Sequence, residues 1–333
     1  MMMGPSAANQ AVLVLGATFL PWVEGFAFQT PQLELPTLPN LFNPLSPTTR
    51  TFSYTHLECN GQLWQATSGN NEVSVVIDPL ASQLDFGIPW GYRANKQSLS
   101  EDATIDLICD ANPSHCLLTM GLDDHTHLPT LAKVRERLPN LQYIVAPSCL
   151  AKLLEFGLES DRITVLEHGE ACNLSDGASV QATEGALVGP PWQRRENGFL
   201  LKLDDGYGNE NDLAIYYEPH GDVVMTNIAG LKADVMVSPV TKQSLPAQVP
   251  VEGQFTLVYG GDRTLEISES LGAEVIIPLG NGALDIDGPL AGLVAAEGNV
   301  GDFERLVSQR NEGRQSRIRV EKASPGVPLK VAL

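Results

Sequence analysis

Short apolar runs separated by turns cover residues 51–77, and this pattern predicts a meander of strands. Residues 81–110 are mixed in character and predict a long surface loop with a short helix. An almost continuous apolar run at residues 115–121 predicts a buried central strand. A starting proline and helical spacing of the apolar positions predict an outer helix at residues 129–139. A strand, a helix and another strand follow, so this half of the chain has mixed β and α elements.

The second half of the chain has a different pattern. Four strand-like runs follow one another, with the sequences SVQATEGALVG, FLLKLDD, LAIYYEP and ADVMVSPV. DRTLEISESLG then predicts a helix, EVIIPLGNG a strand, and residues 302–310 a last helix. Polar and apolar positions alternate over residues 317–331, which predicts a terminal hairpin or an extended tail. Because a nucleotide-binding fold would alternate strand and helix throughout, this order instead favours two packed β-sheets with helices outside.

The N-terminal region has features of a targeting segment. Residues 11–20 form an apolar run that is too short to span a bilayer and is typical of a signal peptide. Residues 25–28, GFAF, resemble the cleavage site of bipartite plastid presequences in algae. We expect residues 1–50 to direct the protein to an algal plastid, or otherwise to the secretory pathway, without stable membrane insertion. The alternative is a disordered, proline-rich arm. The domain itself is then expected at residues 51–310, with a C-terminal extension at 311–333.

Composition and charge limit the possible partners. The chain has 333 residues, of which 43% are hydrophobic, so it can bury a substantial core. Its net charge of −19 repels phosphate backbones, and we expect no nucleic-acid partner. The five cysteines form no CxxC pair, so they indicate neither a zinc ribbon nor a disulfide scaffold. We expect most of them to be small core residues in a thiol-tolerant compartment.

One cluster of polar residues has the composition of a metal site. Asp123, Asp124, His125 and His127 lie directly after the predicted buried strand and before the predicted helix. Carboxylate and imidazole groups together suit zinc, manganese or iron. The alternative is a helix-capping aspartate with solvent-facing histidines, and spacing alone leaves both interpretations open. We expect a histidine on such a loop to contribute little to the core.

A strand followed by an acidic, histidine-containing loop and a helix resembles the metallo-β-lactamase superfamily, whose signature at this place is HxHxDH. Asp124 and His125 match the final DH, whereas Met120 and Leu122 stand where the first two histidines would be. The HxH half of the signature is therefore missing from this chain.

The other metal motifs of that superfamily are also altered. IYYEPHGD resembles the strand that ends in the bridging aspartate, with His220 near that position. The helix and strand that end in PLGNG resemble the segment before the last metal-binding histidine, and Gly280 takes its place. No histidine follows VQATEGALVG, where the third motif would supply one. Together, these segments are similar to a plant and algal chloroplast-type branch, over roughly residues 51–306. The resemblance implies a four-layer αββα sandwich.

The resemblance leaves more than one function open. The chain is expected to be a divergent metal-dependent hydrolase with Asp124 and His125 as catalytic residues. One zinc ion, or manganese or iron, would be held by these two residues and His220, with Asp123 or His127 completing the site. Alternatively, the chain binds no metal and is a non-catalytic protein that holds a small ligand or a partner in the former cleft. A purely structural subunit is a third, weaker hypothesis.

Residues 189–198, GPPWQRRENG, are a candidate substrate-binding segment. Trp192, Arg194 and Arg195 could clamp a carboxylate or phosphate group. We expect Asn281 to contact the same small-molecule ligand. The alternative for this segment is a turn with solvated charges. Of the remaining histidines, we expect His56 and His115 to be structural and His168 to lie exposed at a strand end.

Overall fold

The computed structural model describes residues 50–190, 192–206, 212–245, 255–313 and 317–333. Apart from Arg50, which starts the first strand, the predicted presequence lies outside the described residues. No helix within these described ranges is long and apolar enough to cross a membrane.

The first of two large sheets has seven strands, numbered here in chain order. In spatial order they are β19 (Leu329–Val331), β1 (Arg50–His56), β2 (Gln62–Ser68), β3 (Asn71–Ile77), β5 (His115–Leu118), β6 (Gln142–Val145) and β7 (Ile163–Val165). β1, β2 and β3 are antiparallel, whereas β3, β5, β6 and β7 are parallel. The predicted N-terminal meander and the predicted buried strand are thereby confirmed.

The second large sheet also has seven strands. In spatial order they are β18 (Arg319–Val320), β15 (Val275–Leu279), β12 (Val235–Pro239), β11 (Leu213–Tyr217), β10 (Asn197–Leu203), β9 (Ala178–Glu184) and β8 (Ala171–Ser175). β8 to β11 are antiparallel, and β11, β12, β15 and β18 are parallel. The four successive strand-like runs are β9 to β12, so that prediction is confirmed.

The two sheets pack face to face and carry helices on their outer faces. The helices are α1 (Glu101–Asp110), α2 (Leu128–Arg137), α3 (Leu150–Glu155), α4 (Met225–Ile228), α5 (Gly261–Leu271) and α6 (Val300–Asn311). Side chains alternate between the two faces of a strand, and β10 shows the consequence. Phe199 and Leu201 enter the core between the sheets, whereas Leu200 packs in the outer cluster with Ile267 and Leu271 of α5. The predicted αββα sandwich is confirmed.

The cysteines are free thiols in this structure. Cys59, Cys116 and Cys149 are buried, and Cys109 and Cys172 are half-buried. Cys116 and Cys149 pack with the apolar residues under the outer helices of the first sheet. Most of the cysteines are therefore small core residues, as the sequence predicts.

The C-terminal strands do not form the predicted hairpin. β18 pairs with β15 in the second sheet, whereas β19 pairs with β1 in the first. The alternation of polar and apolar residues is explained by two short edge strands that each turn an apolar residue toward the protein, Val320 in β18 and Val331 in β19. Val331 of β19, for example, is buried against the core between the sheets. The last residues thus complete both sheets.

Two small sheets lie beside the sandwich. β4 (Arg93–Lys96) pairs with β16 (Leu284–Asp287), and β13 (Lys242–Leu245) pairs with both β14 (Phe255–Val258) and β17 (Ala295–Glu297). The region predicted as a surface loop with a short helix therefore also contributes a strand. Its helix, α1, is ten residues long.

The ends of several strands meet at one edge of the sandwich. Within each sheet, β3 and β5, and likewise β11 and β15, run parallel and so end on the same side. The loops that follow them contain most of the chemically interesting side chains of the sequence. Ligands bind beyond the carboxyl ends of strands in layered α/β folds, so this edge is where a site is expected.

Candidate functional site

His125 lies at the centre of this edge. It follows β5 in a short turn, in which its backbone N–H donates to the carbonyl oxygen of Leu122 (3.1 Å). Its side chain is completely buried. The ring nitrogen Nδ1 lies 2.8 Å from Oδ2 of Asp78 and 3.0 Å from Oγ1 of Thr119. The expectation that this loop histidine contributes little to the core is therefore wrong, because the turn folds inward onto a buried carboxylate.

Asp78 was not among the predicted site residues. It follows β3 directly, is fully buried and has a left-handed backbone φ of 43°. Its carboxylate accepts hydrogen bonds from the backbone N–H of Thr119 (2.9 Å), the Thr119 hydroxyl (2.6 Å), the Tyr217 hydroxyl (3.2 Å) and His125. The sequence does contain a sign of this role, because Asp78 directly follows the apolar residues of VSVVIDP. A carboxylate at the end of a buried strand needs several hydrogen-bond donors.

Asp124 lies on the other side of the His125 ring. Its Oδ2 is 3.4 Å from Nε2 of His125 and 3.3 Å from the side-chain amide nitrogen of Asn60. The amide of Asn60 is also 3.0 Å from Nε2 of His125. The second oxygen of Asp124, Oδ1, is buried and has no hydrogen-bond partner. A buried carboxylate oxygen without a donor is unusual and indicates a place for a cation or a proton.

His220 approaches from the second sheet. It lies three residues beyond the end of β11, and its Nδ1 donates to the carbonyl oxygen of Leu257 (2.7 Å). Its ring stacks on that of His125, with centroids 5.6 Å apart and planes inclined by 26°. Glu218 holds this turn, because its Oε2 accepts from the backbone N–H groups of His220 (3.1 Å) and Asp222 (2.9 Å). Asp124, His125 and His220 are thus brought together from distant parts of the chain.

The electrostatic environment favours a positive charge at His125. Burial alone would lower the pKa of His125, but the carboxylates of Asp124 and Asp78 outweigh it and raise the pKa to about 10. Burial would raise the pKa of Asp124, yet the neighbouring His125 lowers it. Burial and the charge of His125 both lower the pKa of His220. One cation, either a proton or a metal ion, therefore balances the two carboxylates.

Asp123 and His127 have other partners. Asp123 forms an ion pair with Lys152, which also donates to the carbonyl oxygen of Gly121 (3.0 Å). His127 is the residue before α2, and its Nδ1 lies 2.8 Å from the hydroxyl of Thr130. The polar contacts of these two residues thus stabilise the loop and the start of the helix.

Met120, Leu122 and Gly280 stand where the superfamily has metal-binding histidines, and the space at these three positions is filled in different ways. Met120 is completely buried, whereas Leu122 is exposed. At Gly280, a Cβ atom would lie 3.1 Å from Nε2 of His56, so the imidazole of His56 occupies the space beside this glycine. His56 is itself buried, and its Nδ1 lies 3.4 Å from the hydroxyl of Tyr54. His56 therefore packs as a structural residue.

His56 should make the protein less stable in acid. Burial lowers the pKa of its imidazole from the ordinary value to about 4. The unfolded chain takes up a proton near pH 6.5 and the folded chain only near pH 4, so stability present above pH 6.5 is lost as the pH falls between these values. The shift corresponds to roughly 3 kcal/mol.

Urea unfolding of wild type and His56→Gln at several pH values measures this effect. We expect the free energy of unfolding to fall less steeply between pH 6.5 and 4.5 in the variant. Between pH 7 and 8 the two proteins should show the same slope. Equal slopes between pH 6.5 and 4.5 would contradict the lowered pKa of His56.

The segment around Trp192 contacts the turn of His220 through one arginine. Arg195 forms an ion pair with Asp222 (2.6 Å) and donates to the carbonyl oxygen of Gly185 (2.7 Å). Arg194 pairs with Glu167, and the side chain of Trp192 is 85% exposed. Both arginines therefore already form ion pairs with carboxylates of the same chain.

Asn281 lies closer to the histidines. Its side-chain amide is 3.5 Å from the carbonyl oxygen of Pro219, the residue before His220. Its side-chain oxygen is buried without a hydrogen-bond partner. Of the predicted substrate-binding residues, Asn281 thus lies beside the turn of His220 with an unused acceptor.

Two packed sheets with outer helices, and a histidine–carboxylate group at the strand ends, define a metallo-β-lactamase-like protein. The β-lactamase superfamily domain matches residues 58–280, and the chain belongs to this family. The match begins in the turn between β1 and β2 and ends just after β15.

Solved structures show the same fold. Igni18, a metallo hydrolase from the archaeon Ignicoccus hospitalis, is 14% identical, with a TM-score of 0.54 over 85% of this chain and 99% of that one. An isothiocyanate hydrolase from Delia radicum gut bacteria is 12% identical, with a TM-score of 0.55 over 84% and 99% of the two chains. At this identity the likeness concerns the fold alone. None of the curated proteins is similar enough in sequence to count as a match.

Proposed function

We propose that the chain is a metal-dependent hydrolase that works with a single divalent ion, most simply zinc, held by Asp124, His125 and His220. The observation that carries this proposal is the orientation of the two imidazoles. In each ring Nδ1 is occupied, by the carboxylate of Asp78 or by the carbonyl oxygen of Leu257, so Nε2 is the nitrogen that could bind a metal. Nε2 of His125 faces Asp124 and the side-chain amide of Asn60, which a bound ion would displace. Metal-binding histidines are usually held in this way by a partner on their other nitrogen.

The donor atoms support a site for one ion. Nε2 of His125 and Oδ2 of Asp124 are 3.4 Å apart, close to the roughly 3.3 Å expected between two tetrahedral zinc ligands at about 2.0–2.1 Å. As the side chains stand, no three His, Cys, Asp or Glu residues of the described part form a complete metal site. His220, whose ring stacks on that of His125 at 5.6 Å, therefore has to reorient toward the pair to complete the site.

The chain's own residues would then divide the work. Asp78 would keep the proton of His125 on Nδ1, so that Nε2 has a lone pair for a metal, and Thr119 and Tyr217 in turn hold the Asp78 carboxylate. Asn60, whose amide contacts both Asp124 and His125, stands beside the same atoms and can orient a substrate carbonyl. A bound zinc ion would supply Lewis acidity, which polarises a scissile group and lowers the pKa of a water molecule.

The second candidate is a non-catalytic protein that binds a ligand in this cleft. It is favoured by the absence of ligand atoms at Met120, Leu122 and Gly280, and by the space at Gly280 being taken up by His56. On this hypothesis the cation that balances Asp78 and Asp124 is the proton on His125. The two candidates differ in whether zinc binds.

Thermal unfolding with and without zinc distinguishes the candidates. Zinc at 100 times its Kd stabilises the folded state by about 2.7 kcal/mol. This corresponds to a rise in Tm of roughly 5–10 °C for a domain of this size. His220→Asn should remove most of the rise, because asparagine keeps a donor for Leu257 but not the imidazole Nε2.

His168→Asn is the matched control. His168 also has one carbonyl partner, that of Glu196 (3.1 Å), but it lies outside the proposed site. This variant should show the wild-type rise in Tm. If zinc leaves the Tm of the wild-type protein unchanged, the hydrolase proposal fails and the ligand-binding candidate takes its place.

A further inference from the structure

The positive side chains around the candidate site are already paired. Arg195 binds Asp222, Arg194 binds Glu167, and Lys152 binds Asp123. The ammonium group of Lys96, at the end of β4, donates to the carbonyl oxygen of Leu80 (3.2 Å) and to the hydroxyl of Thr104. A phosphate or carboxylate of a substrate would have to displace one of these internal partners.

Negative side chains dominate the same edge. Asp78, Glu218 and Glu196 are buried close to the histidines, and Asp124 is part of the site itself. This concentration of carboxylates disfavours further negative charge at the same edge. Whether the cation is the proton of His125 or a divalent ion, the carboxylates of Asp78 and Asp124 offset its charge, and little positive potential is left for an anion.

A flap made of β4, β16 and the turn at residues 85–92 lies next to the site. On one side, Tyr92 packs against the cluster that contains Cys59, the neighbour of Asn60. On the other side, β16 begins three residues after Asn281, whose amide contacts the residue before His220. The flap therefore joins the two halves of the site edge.

The flap exposes aromatic side chains. Trp90 is 76% exposed and Phe86 is 41% exposed, and the rings of Phe86 and Tyr92 are 5.5 Å apart. Burial is the main cause that raises the pKa of the Tyr92 hydroxyl, and the nearby carboxylate of Asp124 raises it further, which is consistent with its place near the site. Leu122, beside Asp123 and Asp124, is exposed as well. Exposed apolar residues near a polar site are typical of ligand contacts.

We propose that the molecule bound at this site is uncharged and carries an aromatic or aliphatic group, which packs on Phe86, Trp90 and Tyr92 of the flap. The paired arginines and lysines exclude a phosphate or carboxylate as the main recognition group, and the aromatic side chains supply an apolar contact instead. The inference deepens the proposed function by naming the substrate class, and it rests on that function only for the cleavage step. Binding itself needs no bound metal.

A pair of fluorescent probes tests the binding without any activity. N-phenyl-1-naphthylamine is uncharged, and its 8-sulfonate differs from it by one negative charge. We expect the uncharged probe to bind at least 10-fold more tightly than the sulfonate. Trp90→Ala should weaken the binding of the uncharged probe several-fold, because the flap loses the indole ring on which the probe packs.

Trp192→Ala is the matched control, since Trp192 is also a highly exposed loop tryptophan. It should leave the affinity for the uncharged probe unchanged. Tighter binding of the sulfonate, or a loss of affinity in Trp192→Ala but not in Trp90→Ala, would overturn the inference. The second result would instead indicate that the ligand binds at the segment that contains Trp192 and Arg194.

A substrate pair extends the test to the zinc-loaded protein. We expect 4-nitrophenyl butyrate to be hydrolysed with a higher kcat/KM than 4-nitrophenyl phosphate, and Trp90→Ala to raise KM for the ester with little change in kcat. Preference for the phosphate would overturn the inference while leaving the hydrolase proposal intact. If zinc does not bind and neither compound is cleaved, the hydrolase proposal fails, and the probe affinities alone decide the inference.

Discussion

Changing Asp78 to asparagine is expected to weaken zinc binding by about 10- to 100-fold, the usual effect of losing the partner of a metal-binding histidine. Asp78 accepts hydrogen bonds from Thr119, Tyr217 and His125, and it is completely buried. An amide nitrogen in place of Oδ2 would face these donors, and the charge on His125 would lose its counter-charge. We therefore also expect the free energy of unfolding to fall by about 3–5 kcal/mol. Zinc titration and urea unfolding measure the two effects.

Asp123→Asn is the control for this experiment. Asp123 is 40% exposed and pairs with Lys152, so the loss of its charge should cost less than about 1 kcal/mol. Its effect on zinc affinity should also be small, since its polar contact is to the lysine. A larger loss of zinc affinity in Asp123→Asn than in Asp78→Asn would show that Asp123 binds the metal and that the assigned arrangement is wrong.

His125→Ala is expected to abolish zinc binding and to destabilise the fold. The substitution removes the imidazole between Asp78 and Asp124 and leaves their carboxylates without the cation between them. The cost in unfolding free energy is expected to be about 3–5 kcal/mol, as for other broken buried ion pairs. Urea unfolding at pH 7 and zinc titration provide the measurements.

A double-mutant cycle separates the pair from a general loss of stability. Since Asp78 and His125 share one hydrogen bond, the double variant Asp78→Asn, His125→Ala should be clearly more stable than the sum of the single effects predicts. His115→Ala, at the half-buried start of β5, is the control and should bind zinc normally. Additive effects in the cycle would contradict a direct Asp78–His125 interaction.

The fold was predictable because its elements follow local patterns. The apolar run at β5 and the helical spacing in α2 each specify one element, and the order of elements favours two sheets with outer helices. The partners of the last two strands were not predictable. β18 and β19 are short edge strands, and their alternation of polar and apolar residues is equally compatible with pairing to each other or to separate sheets.

The candidate site was predictable only in part. Asp124, His125 and His220 follow from motif positions at strand ends, and the structure places them together. Asp78 and Asn60 come from other turns, and their roles depend on contacts between strands that are remote in the sequence. Nor could the sequence pattern show that Arg194 and Arg195 are paired with Glu167 and Asp222, because an ion pair depends on the folded positions of both partners.

Counting zinc ions per chain tests the proposed single-metal site most directly. The wild-type protein and His125→Ala would each be saturated with zinc, freed of loosely bound metal by gel filtration, and measured by elemental analysis. The proposed site predicts one zinc ion per wild-type chain and none in His125→Ala. Two ions per wild-type chain, none at all, or one ion that remains in His125→Ala would contradict it.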